Sequence, residues 1–194
     1  MKTFLKFSGL CALVLAAASL VLMLVSPAIT YTATATVLGN TSTSVSYISG
    51  IAGIFGKGTI TSGDTTSNFD GTAVWSAIIA FILLIVALLL LLLGAIMPVL
   101  KVKSVTKFAG VINLVAVCAL AVSGVFFFLE VPVFQSANEV SSGSGSIGGI
   151  FSASGTYGLG AGWLIAGILS IAGAVIAILP AAADFAGGKG KKRK

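Results

Sequence analysis

Apolar residues in this chain occur in four long runs that are separated by three more polar segments. Each run exceeds the roughly 20 residues that a helix needs to cross the hydrocarbon core of a bilayer. The runs therefore predict four transmembrane helices, at about residues 7–30, 73–100, 108–129 and 159–183. The segments 31–72 and 130–158 are then loops on one side of the membrane, and 101–107 is a short loop on the other.

This pattern predicts an all-α integral membrane protein: a four-helix transmembrane bundle with a small extracellular antiparallel β layer from the two outer loops. One membrane domain is expected over residues 1–188, followed by a basic tail at 189–194. A composition of 57% hydrophobic and 8% charged residues excludes a disordered chain and fits a membrane protein.

The first outer loop has the features of a hairpin. Tyr31–Val37 is rich in β-branched residues, Gly39-Asn40 is a turn signal, and Ser44–Ile48 alternates polar and apolar residues. The second loop is rich in Ser and Gly, so Ser141–Ser146 is predicted to be flexible, and Ile147–Phe151 is predicted to add a strand to the same sheet.

Positive charge is concentrated on one side of the predicted helices. All but Lys57 of the 11 Lys and Arg residues lie there, which predicts cytoplasmic N- and C-termini. The plasma membrane is the expected location. The charge is thus an orientation signal, and no nucleic-acid partner is expected. Glu130, at the outer boundary, is predicted to be solvated. A cleaved signal peptide ending near Ser26-Pro27-Ala28 is the alternative for the first run, whose apolar stretch is longer than is usual for one.

Small residues recur at helical spacing in the runs and predict close helix packing, because lipid gives apolar helices no other reason to associate. The side-chain amide of Asn113 in the third run is expected to form a hydrogen bond between helices. The predicted packing residues are Ala80, Ala87 and Gly94 in the second run, Asn113 in the third, and Gly162, Ala166, Ser170 and Ala174 in the fourth.

The two outer loops share a short motif. Ile51–Phe55 (IAGIF) resembles Ile147–Phe151 (IGGIF), which leaves open whether the two halves are a duplicated hairpin or converged. Their large apolar residues are predicted to contact a partner. These residues are Ile51, Ile54 and Phe55 in the first loop and Ile147, Ile150 and Phe151 in the second.

Residues for chemistry are scarce. The chain has no histidine, and its two cysteines, Cys11 and Cys118, lie inside apolar runs, so no enzyme, metal site or cofactor is predicted. A cluster of cations follows the last run and is expected to bind anionic lipid headgroups at about 1 kcal/mol per residue, or only to set orientation. The cluster is Lys189, Lys191, Lys192, Arg193 and Lys194.

The layout resembles that of the claudin-like tetraspans: four helices, cytoplasmic ends, a longer β-rich first outer loop and a shorter second one. The resemblance implies an adhesion or barrier role. It covers topology only, because the first loop lacks the W-x-x-W and paired cysteines of that family and Trp75 falls at the start of the second run. No residue role is carried over.

Three functions follow as hypotheses. The first is a non-enzymatic tetraspan with a structural, scaffolding or partner-binding role through its outer loops, with membrane lipids, other membrane proteins or further copies of itself as partners. The second is a channel or transporter subunit formed by oligomerisation, with polar stripes such as that of Ser170 lining a pore. The third is an accessory subunit of a larger membrane complex.

Overall fold

The computed structural model describes residues 2–100, 109–147 and 150–189, with side chains described at 7–96, 109–147 and 150–182. Four long helices contain stretches long and apolar enough to cross a membrane, which indicates a multi-pass membrane protein. The described helices are α1 (Lys2–Val25), α2 (Gly50–Phe55), α3 (Trp75–Leu100), α4 (Ala109–Phe128), α5 (Glu130–Ala137) and α6 (Ala161–Lys189).

The first long helix ends earlier than its apolar run. It stops at Val25, and Pro27 begins a strand, although the hydrophobic run continues to residue 30. A residue that precedes proline is pushed out of helical geometry, and the β-branched pair Ile29-Thr30 then favours extended chain. Hydrophobicity therefore located this helix, while local backbone preferences set its end.

The strands form a six-stranded antiparallel sheet in the order β4-β3-β2-β1-β6-β5. The fold is thus mixed helix and sheet, which corrects the predicted all-α class. A small antiparallel sheet from both loops was predicted, and it is present. The strands are β1 (Pro27–Val37), β2 (Asn40–Ser49), β3 (Lys57–Ser62), β4 (Thr65–Asp70), β5 (Gly143–Ile147) and β6 (Phe151–Leu159).

The sheet joins the two predicted loops through its central strand. β1 pairs with β2 in the predicted hairpin and with β6 on its other side, in register from Ile29↔Leu159 to Val37↔Phe151. The second loop therefore contributes two strands. The segment predicted to be flexible, Ser141–Ser146, instead enters β5 at Gly143, because backbone bonds to β6 overcome the low strand propensity of Gly and Ser.

The shared loop motif takes two different structures. Ile51–Phe55 lies in α2, which Ser49 caps by accepting a 3.4 Å hydrogen bond from the Ala52 amide. In the second loop Ile147 ends β5 and Phe151 begins β6. The motif therefore gives no structural support to a duplicated hairpin.

The chain divides into two compact units, each of which takes residues from all four long helices. We call them the helical unit and the sheet unit. The helical unit comprises Met1–Leu20, Ala80–Val125 and Ala166–Lys194, and the sheet unit Val21–Ile79 and Phe126–Ile165.

Serine hydroxyls form hydrogen bonds between the helices of the helical unit. Ser19 Oγ donates to the Ala166 carbonyl at 2.8 Å and shares a 2.8 Å hydrogen bond with Ser170 Oγ. Ser123 Oγ donates to the Ala80 carbonyl at 3.1 Å. These bonds require backbones to approach closely, as small residues allow.

Every predicted packing residue is described. Ala80, Ala87, Ala166, Ser170 and Ala174 are buried. A Cβ on Gly94 would stand only 2.7 Å from Asn113 Oδ1, so this glycine makes room for the amide. Gly162 belongs to the sheet unit, where a Cβ would overlap the Ser26 side chain.

The core of the sheet unit is centred on Trp163. Its side chain is fully buried, and Nε1 donates to the Met23 carbonyl at 2.8 Å. The Phe127 ring meets it edge-on at 5.9 Å between centroids. A Cβ on Gly53 would lie 2.8 Å from Trp163 Cη2, so α2 packs directly against the indole.

Candidate functional site

The sheet ends in a cluster of exposed apolar side chains from two adjacent turns. Leu38 N donates to the Ile150 carbonyl at 2.9 Å, which joins the β1–β2 turn to the β5–β6 connection. Leu38 and Ile147 are each 75% exposed. The cluster, here called the tip patch, contains no charged residue and consists of Val37, Leu38, Ile147, Ile150 and Phe151.

Leu38 is in an unfavourable backbone conformation. Its φ is 51° and that of Gly39 is 83°, so both central residues of the hairpin turn have positive φ. Turns of this kind favour Asn-Gly, and the left-handed region costs an ordinary L-residue roughly 1–2 kcal/mol. Leu38 therefore holds an exposed apolar side chain in a backbone conformation that asparagine or glycine adopts at lower cost.

Leu38→Asn is expected to raise the free energy of unfolding by about 1 kcal/mol, because asparagine tolerates this conformation. The measurement is thermal unfolding of the detergent-solubilised chain, followed by circular dichroism. Leu38→Ala is the control and should give no such gain, since alanine keeps the Cβ and lacks the amide. A stability loss with asparagine would contradict strain at Leu38.

The predicted partner contacts divide into three groups. Ile147, Ile150 and Phe151 are exposed within the tip patch. Ile51 and Phe55 are exposed on α2. Ile54 is fully buried on the inner side of α2, so it is a core residue and leaves the predicted contact set.

Sequence reasoning missed Val37 and Leu38 as part of the same surface. The available signal was a large apolar residue next to the Gly-Asn turn signal. What the sequence lacked was the pairing of β1 with β6, which places Val37 opposite Phe151.

Beside the tip patch, part of one face of the sheet carries only small side chains. Paired residues in neighbouring antiparallel strands point to the same face. Two successive rows on this face are therefore made only of Ala, Gly and Ser, and with Tyr31 they line a cavity of about 380 Å³. The rows are Ser44, Ala33, Gly155 and Gly143, then Ser42, Ala35, Ala153 and Gly145.

Aromatic and apolar rows bound this small-residue face. Tyr31 and Tyr157 stand on one side with ring centroids 4.7 Å apart, and a Cβ on Gly155 would overlap the Tyr31 hydroxyl. Val37, Phe151 and Ile147 bound the other side. The small-residue face is therefore open, uncharged and continuous with the tip patch.

Glu130, predicted to be solvated, is fully buried in the sheet unit. Ser76 Oγ donates to its Oε2 at 2.9 Å, and Oε1 has no hydrogen-bond partner in the described part of the chain. Burial raises the pKa of the carboxyl to about 8, and the Ser76 bond opposes part of this rise. Glu130 is the first residue of α5, and Phe134, one turn further along this helix, packs against Phe69 and Tyr157.

The remaining predictions concern metal ligands, the two cysteines and lipid headgroups. Within the described residues no group of three or more His, Cys, Asp and Glu side chains is placed to hold a metal ion. Cys11 and Cys118 are free thiols. The headgroup-binding prediction for Lys189, Lys191, Lys192, Arg193 and Lys194 lies outside the described side chains and stays a prediction.

No protein-family model matches the chain, and no curated protein matches its sequence. Four long apolar helices and a small antiparallel sheet fit a tetraspan topology.

Proposed function

We propose that this chain is a non-enzymatic tetraspan membrane protein whose sheet unit binds a partner, in a structural, scaffolding or adhesion-like role. The tip patch carries this proposal. Large contiguous patches of exposed apolar side chains are uncommon on soluble surfaces and mark interaction sites. The strained, exposed Leu38 supports the same reading, because a polar residue there would be more stable.

The proposal includes a topology. The four long helices span the plasma membrane, both termini are cytoplasmic, and residues 31–72 and 130–158 face the exterior, as the distribution of Lys and Arg predicts. The claudin-like resemblance belongs here too, as a likeness of layout. Anionic lipid headgroups are the proposed partners of the basic tail.

The test is the composition of the particle extracted in native lipid from cells that express the full chain. The double variant Leu38→Asn/Ile150→Ser makes the tip patch polar, and its first substitution relieves strain. We expect the wild-type particle to hold a stoichiometric partner, either another protein or further copies, and the variant to retain at least about tenfold less of it. Losses of this size follow when apolar contacts at the centre of an interface are removed.

Tyr47→Asn is the matched control, because it makes the same kind of change at an exposed position of the sheet unit that lies outside the tip patch and outside the predicted contact residues. It should retain the partner. A wild-type particle that contains one chain alone, or a double variant that retains its partner fully, would overturn the proposal.

The channel and accessory-subunit hypotheses rank below this proposal. The hydroxyl of Ser170 is buried and bonded to Ser19 inside the helical unit, so it is already used in helix packing. A foreign partner that remains bound after the tip patch is made polar would favour an accessory subunit.

A further inference from the structure

The strand β5 is an open edge of the sheet. In the described part of the chain it pairs only with β6, and all five of its residues are exposed. An unpaired strand edge presents a row of backbone donors and acceptors that another strand can complete. The edge therefore offers a ready site for strand addition.

The two edges of this sheet differ in charge. β4, at the opposite edge, is flanked by Asp64 and ends at Asp70, and edge charges discourage pairing. β5 has the sequence Gly-Ser-Gly-Ser-Ile, without charge or proline. Edge charge is thus present at β4 and absent from β5.

We infer that β5 pairs with β5 of a second copy of this chain, antiparallel and centred on Gly145, to join two sheets into one. This inference deepens the proposed partner-binding function and rests on it. In this register Gly143 lies opposite Ile147 of the other copy, and Ser144 lies opposite Ser146. A two-fold axis makes each contact occur twice.

The edge is self-complementary in shape in this arrangement. Ile147 is a 75% exposed apolar side chain, and Gly143 lies at the other end of β5 on the same face of the sheet. A Cβ at Gly143 or Gly145 would meet nothing within 4 Å, so the face of the sheet above these two glycines is open. Antiparallel pairing places each Ile147 opposite Gly143 of the second copy, next to the small-residue face of that copy.

Self-pairing of β5 explains why this strand contains glycines. Gly inside a strand weakens it and often marks a close approach of another backbone or ligand. Five residue pairs form a short interface, so the dimer is expected to be weak and to depend on protein density in the membrane. Because Ser144 and Ser146 are uncharged, no like charges oppose the pairing.

Disulfide cross-linking tests the register. The full chain, with Cys11 and Cys118 replaced by alanine, is reconstituted in lipid vesicles over a range of protein densities and mildly oxidised. Gly145→Cys should form a cross-linked dimer, because directly opposed Cα atoms lie about 4.5–5.5 Å apart, within disulfide range. Ser67→Cys, in the middle of β4, is the matched control and should remain monomeric.

Charge reversal supplies a second, independent readout. Ser144→Lys/Ser146→Lys opposes like charges twice and should weaken dimerisation about tenfold, whereas Ser144→Lys/Ser146→Glu opposes unlike charges and should restore it. Energy transfer between labelled copies in the same vesicles reports the dimer. Equal dimerisation of both variants would overturn the inference, as would equal cross-linking at Gly145 and Ser67.

The two proposals can fail separately. If Gly145→Cys does not cross-link and the tip-patch variant still loses its partner, self-pairing is overturned and partner binding stands. If Gly145→Cys cross-links and the tip-patch variant keeps its partner, self-pairing is supported and the tip patch is not the contact.

Discussion

Trp163→Ala is expected to lower the free energy of unfolding by about 3–5 kcal/mol, the usual cost of truncating a buried tryptophan. The indole is fully buried, packs edge-on against Phe127 and leaves no space at Gly53. Its removal creates a cavity and deprives the buried Met23 carbonyl of its 2.8 Å donor. Denaturant unfolding in detergent, followed by far-ultraviolet circular dichroism, measures the loss.

Two variants separate the causes of that loss. Trp163→Phe keeps an aromatic ring and removes the N–H, so it should cost about 1–3 kcal/mol, the penalty of an unsatisfied buried acceptor. Trp75→Ala changes the other tryptophan, which is half-exposed and meets Phe126 edge-on at 6.0 Å. It should cost about 1 kcal/mol. An equal cost for both tryptophans would contradict a core centred on Trp163.

Glu130→Gln is expected to stabilise the chain at alkaline pH and to flatten the dependence of its stability on pH. Burial raises the pKa of the folded-state carboxyl from 4.5 to about 8, so the folded chain binds more protons than the unfolded chain between these values. Stability of the wild type is therefore full below about pH 4.5, falls as the pH rises to about 8, and stays low above it. Glutamine imitates the protonated acid and loses this slope.

The difference between Glu130→Gln and the wild type should be near zero at pH 4 and reach roughly 3–5 kcal/mol at pH 9. Unfolding of both proteins at several pH values in detergent measures it. Glu139→Gln removes an exposed carboxyl of α5's C-terminal flank and controls for net charge. A wild-type profile that rises between pH 5 and 8 would show that Glu130 is not enclosed as described.

The elements that depend on local sequence could be predicted. Four apolar runs longer than a bilayer's core leave few alternatives to membrane helices, since lipid satisfies no backbone group. The β1–β2 hairpin was also predictable, because β-branched residues and the Gly39-Asn40 turn signal lie close together in the chain. Helix ends were less certain, as the strand that begins at Pro27 within the first run shows.

The candidate site depends on pairings between distant residues. Nothing local in Gly143–Ile147 favours a strand, yet hydrogen bonds to β6 hold it in the sheet. The tip patch likewise exists because the Leu38 turn and Ile150 meet across more than a hundred residues.

Glu130 shows the same division for a single side chain. Its position after an apolar helix predicted an exposed carboxylate, but the folded chain buries the carboxyl fully and Ser76 donates a hydrogen bond to it. The sequence alone determined the approximate positions of the four long helices and of the first hairpin, since hydrophobic length and turn chemistry act within a few residues. The tertiary structure decided strand partners, burial and the exposed apolar surface, because those depend on which distant segments exclude water together.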